Sequence, residues 1–170
     1  MTLTNQRGVV LIISLVVLLI LTILGSTALK STIVQEKMAG FARNKQISLD
    51  SSEAGLRVGE NAADQISIAA PTDGTDGLWE PNPTNPVWLD ATKLFSWITL
   101  PAASVTGVIE QPRYILENTG TIPRDTNCAL DAEASLNQDC WRYTYRITSH
   151  GGGKNAVTTS TVQSTILSRK

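Results

Sequence analysis

An α+β fold, in which a long N-terminal helix lies on a small antiparallel β-sheet, is predicted for this chain by three observations. They are an uncharged apolar run near the start, a proline-free amphipathic stretch behind it, and alternating strand patterns towards the C-terminus. A length of 170 residues leaves room for one head domain beside these elements. Fourteen Lys and Arg oppose fifteen Asp and Glu, a formal charge of −1, so nothing in bulk draws the chain to phosphate backbones and direct nucleic-acid binding is not expected. With 42% hydrophobic and only 17% charged residues, a mostly disordered chain is excluded.

The first element is set by the 22 uncharged residues between Arg7 and Lys30, GVVLIISLVVLLILTILGSTAL. At about 1.5 Å per residue a helix of this length covers roughly 33 Å, enough to cross the hydrocarbon core of a bilayer. Ser14 and Thr22 do not spoil the span, because each hydroxyl can bond a carbonyl one turn back in the same helix. Residues 1–8, MTLTNQRG, form a short polar leader, and Arg7 orients the start of the helix towards the cytoplasm. Three fates fit such a segment: a secretory signal cut after Ala28 at the small-residue triplet Ser26-Thr27-Ala28, a permanent single-pass anchor, or a segment cut on its cytoplasmic side before export into an assembly. The apolar run is too long for the first, and the third is favoured.

The helix is expected to leave the membrane near Leu29 and to continue over residues 30–70, which contain no proline. Ala42, Leu49, Leu56 and Ala63 recur every seven residues and predict a narrow apolar stripe. Mixed charges such as Glu53 and Arg57, one turn apart, suit a solvated face with local ion pairing. Gly40, Gly55 and Gly59 mark candidate bends.

Two stretches carry a family resemblance. Arg7-Gly8 followed by Val9-Val10-Leu11-Ile12-Ile13 resembles the processing site of type IV prepilins and pseudopilins. The run QEKMAGFARNKQISLDSSEAGLRVGE is similar to the segment behind the membrane helix in the PilX family of type IV pilus minor pilins. Its matching residues are Gln35, Glu36, Met38, Ala39, Gly40 and Arg43, then Glu53, Leu56, Arg57 and Glu60. The resemblance covers roughly residues 6–60 and implies a pilin-like fold, with cleavage after Gly8 by a prepilin peptidase and N-methylation at Val9. It further implies an assembly helix presenting Val9, Ile13, Leu15, Leu18 and Leu21. The expected partners are other minor pilins, the major pilin, the peptidase and the inner-membrane assembly platform. The expected location is an inner-membrane precursor with a periplasmic head, later the tip of a surface fibre. The chain departs from the common pattern at two places: most members have Phe where Val9 stands and Glu where Ile13 stands. A buried Glu is costly unless paired, in filaments with the amine of the subunit already ahead, so a subunit without it suits a first-in, tip-type position. A type II secretion pseudopilin and an uncleaved bitopic protein presenting a periplasmic binding domain are the rival readings.

The head is assigned to residues 71–170. Pro71 and the Asp-Gly pairs behind it end the helix. Asp73 and Asp76 lack the spaced ligands and distal bidentate Glu of a helix-loop-helix calcium site. After a Pro-rich loop from Glu80 to Pro86, VWLDATKLFSWITL predicts a short helix with Trp88, Leu89, Leu94 and Trp97 inward. Strands are expected at 113–117, at 141–148 with Tyr143, Tyr145 and Ile147 on one face, and at 156–167. His150-Gly151-Gly152-Gly153 reads as the loop between the last two, with His150 a turn residue. These strands form a meander whose greasy face needs the long helix as cover. Cys128 and Cys140 enclose eleven residues. In an exported head their disulfide is the expected state, against free thiols or a metal pair. Asp125, Asp131, Glu133 and Asp139 make that loop acidic. No nucleophile elbow, phosphate loop or dinucleotide fingerprint occurs, so neither an enzyme nor a cofactor is expected, and assembly is the expected work of the chain.

Overall fold

In the computed structural model of the chain, residues 7–66, 72–82, 84, 86–90, 96–130 and 140–168 are described. The chain divides into two compact units, Met1–Arg43 and Asn44–Lys170. Helix α1 covers Arg7–Gln65, and its helical assignment is not interrupted at Gly40, Gly55 or Gly59. Its last residue is Gln65, and residues 67–70 of the expected continuation lie outside the described residues. The Ile66 amide closes on the Ala63 carbonyl at 3.4 Å, and the Ile66 side chain packs on the apolar core. Pro71 lies outside the described residues.

The sheet of the second unit holds five strands: β1 (Leu78–Trp79), β2 (Ile98–Thr99), β3 (Arg113–Pro123), β4 (Trp141–Gly152) and β5 (Thr159–Leu167). The expected antiparallel meander is β3-β4-β5. β1 runs parallel to β3 at Leu116 and Glu117, and β2 antiparallel to it at Arg113 and Tyr114, so the sheet is mixed at this one edge. β3 outruns its predicted end at Glu117 because a bulge between Asn118 and Gly120 absorbs the turn-forming residues, with the Gly120 amide donating to Asn118 Oδ1 at 3.1 Å. A short helix α2 (Thr126–Leu130) follows β3.

Three other expectations are corrected. His150, Gly151 and Gly152 belong to β4, where His150 pairs with both Arg113 and Thr161, so they are not a loop. β5 begins at Thr159 rather than Ala156, because the turn between the strands occupies the residues before it. Of the segment expected as a short helix behind Pro86, Val87–Leu89 form a 3-10 turn and Ile98–Thr99 are β2, paired with β3, while residues 91–95 lie outside the described residues. Val87 and Trp97 are buried and Trp88 half-buried, whereas Leu89 is exposed and Leu94 lies outside the described residues.

Each face of the sheet carries apolar packing. Leu78, Leu100, Tyr114, Leu116, Tyr145 and Ile147 form the helix-side core with Ala63 of α1. On the opposite face Val87, Trp97 and Ile115 cluster with Trp79 and Trp88. The segment between β1 and β2 thus covers the face that α1 leaves open. The Cys128–Cys140 disulfide ties α2 to the residue before β4. A ring of this size stabilises by roughly 3 kcal/mol through the unfolded chain. The double variant Cys128→Ser/Cys140→Ser is expected to lose about that much in urea unfolding of the full chain. A loss below about 1 kcal/mol would show that the bond does not constrain the unfolded ensemble.

Candidate assembly helix and head interface

In the first unit the apolar side chains of α1 have no internal partner. From Val9 to Leu24 every Val, Leu and Ile is exposed, Val16 at 47% being the least so and Leu11 at 67% the most. The polar members are tied into the helix itself: Ser14 Oγ donates to the Leu11 carbonyl at 2.9 Å and Thr22 Oγ1 to that of Leu19 at 2.8 Å. Ser26 and Thr27 bond Ile23 and Leu24 in the same way. With its hydroxyls satisfied, this surface is apolar on all sides and asks only for lipid or other apolar helices around it. The segment is long and apolar enough to cross a membrane. Ile13, Leu15, Leu18 and Leu21 are exposed in this surface, and Arg7 and Gly8 stand in the first turn of α1.

The motif of residues 35–60 falls on both units. Met38 is exposed at 66%, and Gln35, Glu36, Ala39, Gly40 and Arg43 are exposed with it. Gln35 Nε2 meets Ser31 Oγ at 3.5 Å. In the second unit Leu56 is half-buried against the core, and Glu60 Oε1 accepts from Ser164 Oγ at 2.7 Å. Glu53 and Arg57 are exposed and stand beyond ion-pair distance; among the described residues the ion pair is Arg146–Glu117. The predicted heptad stripe is displaced likewise: Ala63 is buried, Leu49 and Leu56 are half-buried, and Ala42 is exposed.

The face of α1 that the sheet buries is instead built of Asn44, Ser48, Ser51, Ser52, Gly55, Gly59 and Ala63. Small residues three and four apart let helix and sheet approach closely. A Cβ on Gly59 would stand 2.7 Å from Ile147 Cγ2, and one on Gly151 would stand 2.8 Å from the Ser51 carbonyl carbon and collide with the Ser52 amide nitrogen. Polar groups bind the lower part. Asn44 Oδ1 accepts from the Lys154 amide at 2.7 Å, and its Nδ2 donates to Asn155 Oδ1 at 2.9 Å and Thr158 Oγ1 at 2.8 Å. Ser48 Oγ donates to Ser160 Oγ at 2.6 Å. None of these residues stands out by hydropathy. The signal that finds them is the small-residue spacing on α1 read together with the run Gly151-Gly152-Gly153.

On the other face Glu117 is fully buried, and its Oε2 accepts from Arg146 Nε at 2.7 Å. Asp73 Oδ1 accepts from the Thr75 amide at 3.0 Å, closing a turn, and among the described residues no three His, Cys, Asp or Glu gather as metal ligands. Asp131, Glu133 and Asp139 lie outside the described residues, while Asp125 Oδ1 accepts from the Cys128 amide at 2.9 Å. His150 is half-buried, edge-on to Trp97, with Nδ1 3.1 Å from Thr161 Oγ1. Burial first, and then the Arg113 charge, lower its pKa from the usual histidine value. The unfolded chain therefore binds the proton more readily. His150 contributes stability above pH of about 6.5 that is lost as pH falls towards its folded pKa. Unfolding midpoints measured between pH 8 and 5 are expected to fall less steeply in His150→Gln than in the parent; equal slopes would assign the acid loss to other groups.

An exposed apolar helix joined to a disulfide-bonded head, in which the helix continues as one wall of a small β-sheet domain, defines a membrane-anchored subunit of the pilin class. The family follows from two matches that span nearly the whole chain. Residues 60–168 match the family described as Type IV pilus assembly protein PilX C-term, and residues 7–57 match PilX N-terminal. The chain belongs to the PilX family of type IV pilus assembly proteins. No curated protein and no solved structure matches it significantly.

Proposed function

We propose that this chain is a minor pilin that helps to start the type IV pilus and remains at its tip. The observation that carries this reading is the assembly helix, apolar all round from Val9 to Leu24 and carrying Ile13 where most pilins carry Glu. In this reading the leader 1–8 is removed after Gly8 by the prepilin peptidase and Val9 is N-methylated. The precursor waits in the inner membrane on residues 9–29 with the head in the periplasm. The assembly platform then lifts it among other minor pilins and the major pilin. Exchange of lipid for apolar neighbouring helices sets little hydrophobic free energy against that move. Ile13 needs no amine from a subunit ahead, which suits the first position in a fibre. Adhesion, twitching motility and DNA uptake would all depend on a fibre begun in this way.

The test is the intact mass and N-terminal sequence of the chain expressed with and without a prepilin peptidase. A start at Val9 carrying one methyl group, dependent on that enzyme, is expected. An uncut chain, or a start at Leu29, overturns the reading.

A further inference from the structure

β5 ends the strand order, and its nine residues contain neither charge nor proline. Its pairing with β4 runs from Thr144↔Leu167 to Gly152↔Thr159 without a register shift. The bonds that flank this ladder fix which backbone groups face which way. The Thr158 carbonyl accepts from Gly153, and the Ser168 amide donates to Tyr143, so the even-numbered residues of β5 bond β4. The odd-numbered ones, Thr159 to Leu167, turn their N–H and C=O outward. Lys45 Nζ meets the Thr159 carbonyl from that outer side at 2.8 Å. Among the described residues nothing else bonds the outward backbone groups of Thr161, Gln163 and Thr165. Long, flat, uncharged edges are what soluble folds ordinarily avoid with charges, prolines or bulges.

The helix beside this edge supplies the second half of a groove. Lys45, Leu49, Leu56 and Glu60 lie within about 60° of one another on α1, counting roughly 100° per residue. The two ends of this row touch β5, Lys45 at Thr159 and Glu60 at Ser164, so Leu49 and Leu56 flank the strand between them. Both are half-buried, as are Val162 and Ile166 on the helix side of β5. Their register partners in β4, Ser149 and Tyr145, are buried. The apolar wall that a sixth strand would complete is thus already built, with Lys45 at one end, the half-buried Glu60 at the other and the exposed Glu53 midway.

From this we infer that β5 and the Lys45–Glu60 row of α1 receive an extended segment of another pilus component as a sixth strand. The fifteen steps from Lys45 to Glu60 span about 22 Å, the reach of roughly seven residues in a strand. The donated segment would carry apolar side chains at alternate positions over Leu49 and Leu56 and polar ones beside Thr161, Gln163 and Thr165. An acidic residue suits its end at Lys45 and a basic one its middle, beside Glu53. Main-chain bonds would supply affinity and the alternation specificity. The inference rests on the chain's place among pilus assembly proteins and not on cleavage at Gly8 or on a tip position, so the peptidase test can fail without it.

The experiment is residue-resolved amide exchange on the full chain in nanodiscs, alone and in complex with the co-expressed minor pilins of the same pilus. The N–H groups of Thr161, Gln163 and Thr165 are expected to exchange freely in the chain alone and at least about tenfold more slowly in the complex. Gln163→Pro removes one outward N–H and no bond to β4, so it is expected to abolish the protection while leaving the unfolding midpoint of the head nearly unchanged. A complex that leaves these amides unprotected, or failure of any complex to form, overturns the inference. Protection that arises in the chain alone at high concentration assigns the edge to a second copy and overturns it as well. Protection that survives Gln163→Pro in a folded head does the same.

Discussion

Arg146→Met is expected to destabilise the head by about 3 kcal/mol or more, because it strands a carboxylate in the interior. Glu117 has no exposed surface and its Oε2 has Arg146 Nε as its partner, while Oε1 is buried without a bond. Arg146 is one-third exposed, so water reaches the cation but not the anion. The Coulomb attraction is partly screened, which makes the lower end of the range for breaking a buried pair the appropriate figure. Most of the loss comes from the unpaired Glu117, and replacing both partners should therefore restore much of it. Urea unfolding of the full chain followed by Trp fluorescence would compare Arg146→Met with Arg146→Met/Glu117→Leu. A single variant that loses less than about 1 kcal/mol would mean that Glu117 finds other polar partners without Arg146, against the burial described above.

The second large effect is expected at Gly151. A valine there places Cβ against the backbone of Ser51 and Ser52, and backbone inside a helix cannot swing aside as a side chain can. Either α1 lifts from β4 or the strand distorts; both sacrifice the bonds of Ser48 to Ser160 and to the Gly151 carbonyl. Overpacking of this kind costs about 3 kcal/mol or more, and the head of Gly151→Val is expected to be largely unfolded in circular dichroism at 37 °C. Gly40→Ala is the matched control. Nothing stands within 4 Å of a Cβ at Gly40, and alanine in a helix is favoured over glycine by up to about 1 kcal/mol. Equal stability of Gly151→Val and the parent would refute the close approach of helix and sheet.

The parts of this molecule that hydropathy writes were legible in the sequence. A run of 22 uncharged residues leaves few alternatives, and the alternation of Tyr143, Tyr145 and Ile147 marks a strand with one buried face. The contact between helix and sheet was not legible by the same means. It is made by Ser, Gly and Asn, whose value lies in small size and in hydrogen bonds to partners more than 100 residues away. An apolar pattern search therefore selected Leu49 and Leu56, which flank the contact, and missed Ser48, Ser52 and Gly55, which form it. The same blindness turned Gly151 and Gly152 into a loop, although at Gly151 glycine stands because α1 leaves no space for a Cβ. β1 and β2 are two residues each, and pairing that short is decided by the register of β3, not by local propensity. The helical course of residues 9–29 was legible from the apolar run alone.

The far-reaching bonds of α1 also govern timing. Asn44 is held by Asn155 and Thr158, Ser48 by Ser160, and Glu60 by Ser164, at separations of 104 to 114 residues. Loops of this length are closed late. During synthesis residues 9–24 emerge long before residues 155–168, and the head cannot close until those last residues have been delivered. An open chain is therefore an obligatory stage in the life of every molecule. Throughout it, the surfaces later used for β5 and the Leu49–Leu56 row are accessible to chaperones and proteases alike.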